Sequence, residues 1–105
     1  MKKIINGKLY NTETAKEMAY IINPNETYSR SDFRWFEETL YKKKTGEFFL
    51  YGNGGPLTRY ASHIENNGRG WGEAIIPLTF EEAKSYAEKN CNVDTYEEIF
   101  GKVEE

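Results

Sequence analysis

Apolar and polar residues alternate in short runs along most of this chain, and turn residues separate the runs. Lys3-Ile4-Ile5, Asn6-Gly7 and Lys8-Leu9-Tyr10 predict a compact hairpin, because Asn-Gly supplies the two positive-φ residues of a type I′ turn. Asn11 then reads as an N-cap. Ala15, Met18, Ala19 and Ile22 recur at the i, i+3, i+4, i+7 spacing of one buried face, which predicts a helix from residue 12 to 21 or 22, ended by Pro24 and Asn25. A polar loop over residues 26–32 follows. The longest pattern is central: residues 33–42 and 47–51 are aromatic-rich and flank Lys43-Lys44-Thr45-Gly46, so they read as two strands and a tight turn. The register that pairs unlike charges sets Lys42 against Glu47, Tyr41 against Phe48, Leu40 against Phe49 and Thr39 against Leu50. It places Phe36, Leu40, Phe49 and Tyr51 on one face and Trp35, Tyr41, Phe48 and Leu50 on the other. Neither face is plainly the wet one, which points to a binding surface.

Two glycine clusters, Gly52-Asn53-Gly54-Gly55 and Asn66-Asn67-Gly68-Arg69-Gly70-Trp71-Gly72, bound a weakly patterned stretch, and an excursion of that length in a small domain is usually functional or mobile. Ala74-Ile75-Ile76-Pro77-Leu78 reads as an edge strand, where the missing proline donor is tolerated. Thr79-Phe80-Glu81-Glu82 is a capping box opening a helix to about Lys89 that buries Phe80, Ala83, Tyr86 and Ala87. Asp94 to Glu97 repeats the logic for a helix over residues 95–100, stopped by Gly101. The expectation is a single α+β domain over residues 1–105: a small antiparallel sheet built on a long central hairpin plus a short N-terminal hairpin, flanked by about three helices.

Composition adds that the core leans on rings, since aromatic residues make up 15% of the chain. Charge is divided unevenly. From Phe80 onward there are 3 basic and 8 acidic residues, whereas the preceding part carries 11 and 9, which together give the net −3. A pI near 5.3 argues against a general nucleic-acid binder and permits docking on a basic partner. The single cysteine, Cys91, excludes an internal disulfide and fits a reducing compartment; no run reaches membrane length, and Lys2-Lys3 precede no signal-type apolar core. These features make a cytoplasmic location, with no membrane partner, the expectation.

Candidate chemistry is sparse. The glycines after Tyr51 lack the Lys and Ser or Thr of a phosphate loop, and His63 has no second ligand at zinc spacing, so no cofactor and no metal are expected. Ser62 beside His63 makes no triad by adjacency, and Glu37 and Glu38 alternate onto opposite faces, wrong for cooperating acids; each is expected beside a lysine or in solvent. No catalytic residue is assigned. The remaining residues of interest are Trp35, Tyr41, Lys42, Lys43, Lys44, Tyr51, Arg59 and Trp71: cations interleaved with rings, the mixture that contacts single-stranded nucleic acid or anchors a protein interface. The competing reading is a solubilising lysine tip and core aromatics.

Three segments carry a resemblance: Lys3-Ile4-Ile5-Asn6-Gly7-Lys8-Leu9-Tyr10-Asn11-Thr12-Glu13-Thr14-Ala15, then Glu37-Glu38-Thr39-Leu40-Tyr41-Lys42-Lys43-Lys44-Thr45-Gly46-Glu47-Phe48-Phe49-Leu50-Tyr51-Gly52, and Ile76-Pro77-Leu78-Thr79 with Glu81-Glu82-Ala83. Together they resemble a group of small proteins from phages, plasmids and integrated elements of Gram-positive bacteria that includes anti-CRISPR proteins acting on the type II RNA-guided nuclease. That resemblance implies a non-enzymatic protein that binds the host nuclease or its guide-RNA complex and blocks guide loading or DNA cleavage. It carries over no inhibitory residues. The alternatives are a module that contacts the guide or other single-stranded nucleic acid through Tyr41 and Lys42 to Lys44, and a scaffold that dimerises through the hairpin.

Overall fold

Asn6 and Gly7 take φ of 51° and 78°, and the chain reverses there between β1 (Lys2–Ile5) and β2 (Lys8–Asn11), as their sequence predicts. The computed structural model describes residues 1–23, 27–64 and 68–105. Beyond β2 the expected helix is replaced by a strand. Asn11 caps no helix; its Oδ1 accepts the Glu13 N–H at 2.9 Å, its carbonyl accepts the Ala15 N–H at 3.1 Å, and the chain turns into β3 (Lys16–Ile22). Tyr20, Ile21 and Ile22 suit a strand, and pairing along β4 (Phe36–Lys42) outweighs local helix propensity. A bulge between Glu17 and Ala19 interrupts the alternation, so Met18 and Ala19 both reach the core and mimic helical spacing. Pro24 and Asn25, the expected helix end, lie outside the described residues, as do Asn66 and Asn67 of the second glycine cluster.

The central hairpin forms with its register moved by one residue. β4 pairs with β5 (Phe48–Gly54) so that Lys42 faces Phe48, Tyr41 faces Phe49, Leu40 faces Leu50 and Thr39 faces Tyr51. The charge pair survives by moving to the loop, where Lys43 Nζ lies 3.5 Å from Glu47 Oε1 and the Lys43 N–H donates to the Glu47 carbonyl at 2.7 Å. Residues of β4 change faces relative to β5. Leu40, Phe48 and Leu50 now share one face with Ala83 and Ile99, while Phe49 lies on the other with Tyr10 and Ile75, flanked by Tyr41 and Tyr51. Neither face is wet because both are covered, and Phe48, Phe49 and Leu50 are buried in succession, each stabilising the fold by roughly 1.5–3 kcal/mol.

The main sheet has the order β3-β4-β5-β8, antiparallel throughout, with β8 (Gly72–Leu78) on the edge where Pro77 is tolerated. β6 (Ser62–Ile64) and β7 (Gly68–Gly70) form a small separate ladder. The described residues contain two helices rather than three. α1 (Phe80–Asn90) begins at the predicted capping box: Thr79 Oγ1 accepts the Glu82 N–H at 3.1 Å, and Glu82 Oε1 accepts the Thr79 N–H at 2.9 Å. Phe80, expected inside, is 55% exposed at the first helical position, with its ring against Phe100 and Phe48. α2 (Val93–Phe100) starts earlier than expected, capped by Asn92 rather than Asp94, and stops at Gly101. No helix among the described residues is long and apolar enough to cross a membrane.

Candidate functional site

Glu38 is the unexpected residue. It lies in β4 between Phe36 and Leu40 on the helix-covered face, 4% exposed, where an unpartnered carboxylate would be costly. Three side chains from elsewhere converge on it. Tyr60 Oη–H donates to Oε1 at 2.8 Å, Tyr86 Oη–H donates to Oε2 at 2.5 Å, and Arg59 Nη2 donates to both oxygens at 2.8 and 3.1 Å. Burial first, and the adjacent Glu38 second, push both phenols far above their usual titration range. They are donors at every ordinary pH.

Local structure explains why the residues meet. Tyr86 sits one turn before the end of α1, with Ala83 and Ala87 giving the close approach to the sheet. Residues 55–60 fold back over the start of β4: the Gly55 N–H donates to the Trp35 carbonyl at 2.9 Å, the Leu57 N–H to the Phe33 carbonyl at 3.0 Å, and Thr58 Oγ1 accepts the Tyr60 N–H at 3.2 Å. Gly52, facing Glu38 in β5, completes the fit, since a Cβ there would fall 2.3 Å from Tyr60 Cζ.

Above this centre lies a cleft of about 560 Å³ lined by Tyr28, Arg34, Phe36, Leu57, Arg59 and Tyr86, among others. Its far wall is fixed by Asn23, which accepts the Tyr28 N–H at 3.0 Å and donates to the Tyr28 carbonyl at 3.3 Å. Arg34 stacks over the Tyr28 ring at 4.2 Å and holds Asp32 through Nε and Nη2 at 3.0 and 2.9 Å. Those bonds to Arg34 lower the Asp32 carboxyl to about 2.

The residues singled out from sequence fall into separate groups. Arg59 belongs to the Glu38 centre. Trp35 is buried and Trp71 half exposed, with the Arg30 guanidinium 4.0 Å from the first ring and 5.8 Å from the second. Tyr41 stacks on Phe49 at 5.1 Å, and Tyr51 donates to Glu73 at 2.6 Å, on the face covered by the N-terminal hairpin. At the hairpin tip Lys42 lies 5.6 Å from the Phe48 ring, Lys43 lies 4.3 Å from the Tyr10 ring, and Lys44 points to solvent. Glu37 and Glu38 do occupy opposite faces, but the expectation of a lysine or solvent beside each is corrected: Glu37 accepts from Tyr20 and from Asn53 at 3.0 Å. Glu38 accepts from Arg59, Tyr60 and Tyr86 rather than from a lysine or solvent. The sequence placed Tyr86 on the buried face of α1 without naming a partner and gave Tyr60 no role; the available signal was a charge at the middle of the Phe36-Glu38-Leu40 alternation.

A second feature is the acidic helical face. Among the described residues, none of the eight carboxylates from Glu81 to Glu105 enters an ion pair. Phe80, Val93 and Val103 are exposed among them. No family model, curated protein or solved structure matches the chain.

Proposed function

We propose that this protein is a non-enzymatic inhibitor that docks its acidic helical face on the basic channel of a type II RNA-guided nuclease in the bacterial cytoplasm. The observation that carries the reading is the excess of carboxylates on α1, α2 and the residues after them, none neutralised within the described chain. Such nucleases hold guide and heteroduplex in a positively charged groove, so a compact acidic surface competes for the same cations. Exposed Phe80 and Val93 supply apolar anchors inside the charged rim, the usual anatomy of an interface. The segment resemblance supplies the identity of the partner.

The test is titration of the purified protein into nuclease and guide before and after they assemble. Loss of guide loading or of DNA cleavage supports the reading, and undiminished cleavage at large excess overturns it. Glu88→Lys combined with Glu98→Lys, both exposed, should weaken inhibition by about tenfold or more without loss of stability. Guide RNA alone serves as the contrast: a shifted RNA would transfer the activity to Tyr41 and the lysine tip.

A further inference from the structure

Every acceptor position of the Glu38 carboxylate is taken: Oε1 by Arg59 and Tyr60, Oε2 by Arg59 and Tyr86. It has nothing left for a cation entering the cleft. The two guanidinium groups on the cleft are in the opposite condition. Arg59 engages its carboxylate through Nη2 alone, and Arg34 engages Asp32 through Nε and Nη2. Nε and Nη1 of Arg59, and Nη1 of Arg34, therefore have no carboxylate among the described residues. Both side chains stay open to the cleft, at 51% and 54% exposure. The rest of the wall is flat or apolar, made by Tyr28, Phe36, Leu57 and Tyr86.

We propose that this cleft binds a small molecule carrying an oxyanion, phosphate or carboxylate, on a flat ring. The oxyanion sits on the N–H groups of Arg34 and Arg59 that no carboxylate among the described residues occupies, and their planar forks match either group. The ring lies against Phe36 and Leu57. A volume of about 560 Å³ suits a molecule of mononucleotide size. Glu38 acts as a positioning residue: with Tyr60 and Tyr86 it fixes Arg59 from behind, so the guanidinium needs no reorganisation when the anion arrives. This site does not depend on the docking reading.

The test is calorimetric titration of the intact protein at low salt with AMP, adenosine, inorganic phosphate and indole-3-acetate, with amide chemical shifts read in parallel. Saturable binding of AMP or indole-3-acetate with Kd below about 1 mM, with shifts at Tyr28, Leu57 and Tyr86, supports the site. Binding of AMP alone identifies the phosphate source, and binding of indole-3-acetate, alone or with AMP, the carboxylate. Leu57→Glu, at a position 63% exposed and so free of folding cost, should weaken binding by about tenfold or more, and Arg34→Gln should do the same. Four results overturn the proposal: no saturation by either ring-bearing anion, adenosine or inorganic phosphate binding as tightly as AMP, shifts confined to another surface, or unchanged affinity in Leu57→Glu.

Discussion

Glu38 is buried in a sheet face built from Leu40, Phe48 and Leu50, and two phenols together with Arg59 make this tolerable. A hydrogen bond to a charged group contributes about 1.5–3 kcal/mol, and both phenols are well shielded, so Tyr60→Phe and Tyr86→Phe should each lower unfolding free energy by roughly that amount. Arg59→Gln should cost less, about 1 kcal/mol, since its guanidinium is half exposed and already solvated. Urea unfolding of the three variants gives the ranking. If Arg59→Gln proved the most damaging, charge pairing rather than phenol donation would be holding the carboxylate. None of this was fully legible beforehand, because Arg59, Tyr60 and Tyr86 lie 21, 22 and 48 positions away and no local spacing links them. The alternation of β4 could announce only that Glu38 needed partners.

At the scale of elements, legibility followed how locally each one is specified. Asn6-Gly7 and the Thr79/Glu82 box are complete within a few residues, and both formed as read. β3 failed because a bulge gave it helix-like spacing, and its identity is settled by β4, which follows later in the chain. The central register was decided by burial rather than charge: shifting one residue keeps Leu40, Leu50 and Phe48 together under the helices and still saves the ion pair as Lys43–Glu47. Because α1 delivers Tyr86 to Glu38, its cap bears on the site. Thr79→Ala should destabilise the protein by about 1 kcal/mol and speed amide exchange in α1, while leaving β1 and β2 as protected as before.

For the molecule as a whole, tyrosine hydrogen bonding sets the alkaline limit. Glu73 beside Tyr51 and Glu37 beside Tyr20 each raise the phenol from 10.0 to about 12, and burial raises Tyr41, Tyr60 and Tyr86 as well. A phenol whose folded value is raised contributes stability that is complete below the unfolded value and lost as pH climbs through the folded one. Stability should therefore hold up to about pH 10 and fall steeply between about pH 10 and 12. Phenolate absorbance and circular dichroism should change together across that interval. A full phenolate signal with native dichroism at pH 11 would show these hydroxyls to be unbonded.

The neutral phenol donors on Glu38 separate two responses to ionic strength. Dissolved ions screen exposed charges over about 8 Å at physiological concentration, and they act weakly on a neutral donor held against a shielded carboxylate. Glu38 takes two of its bonds from Tyr60 and Tyr86 as neutral donors, whereas among the described residues the carboxylates of α1 and α2 enter no ion pair. Salt should thus loosen the proposed docking of the acidic face while leaving the folded chain intact.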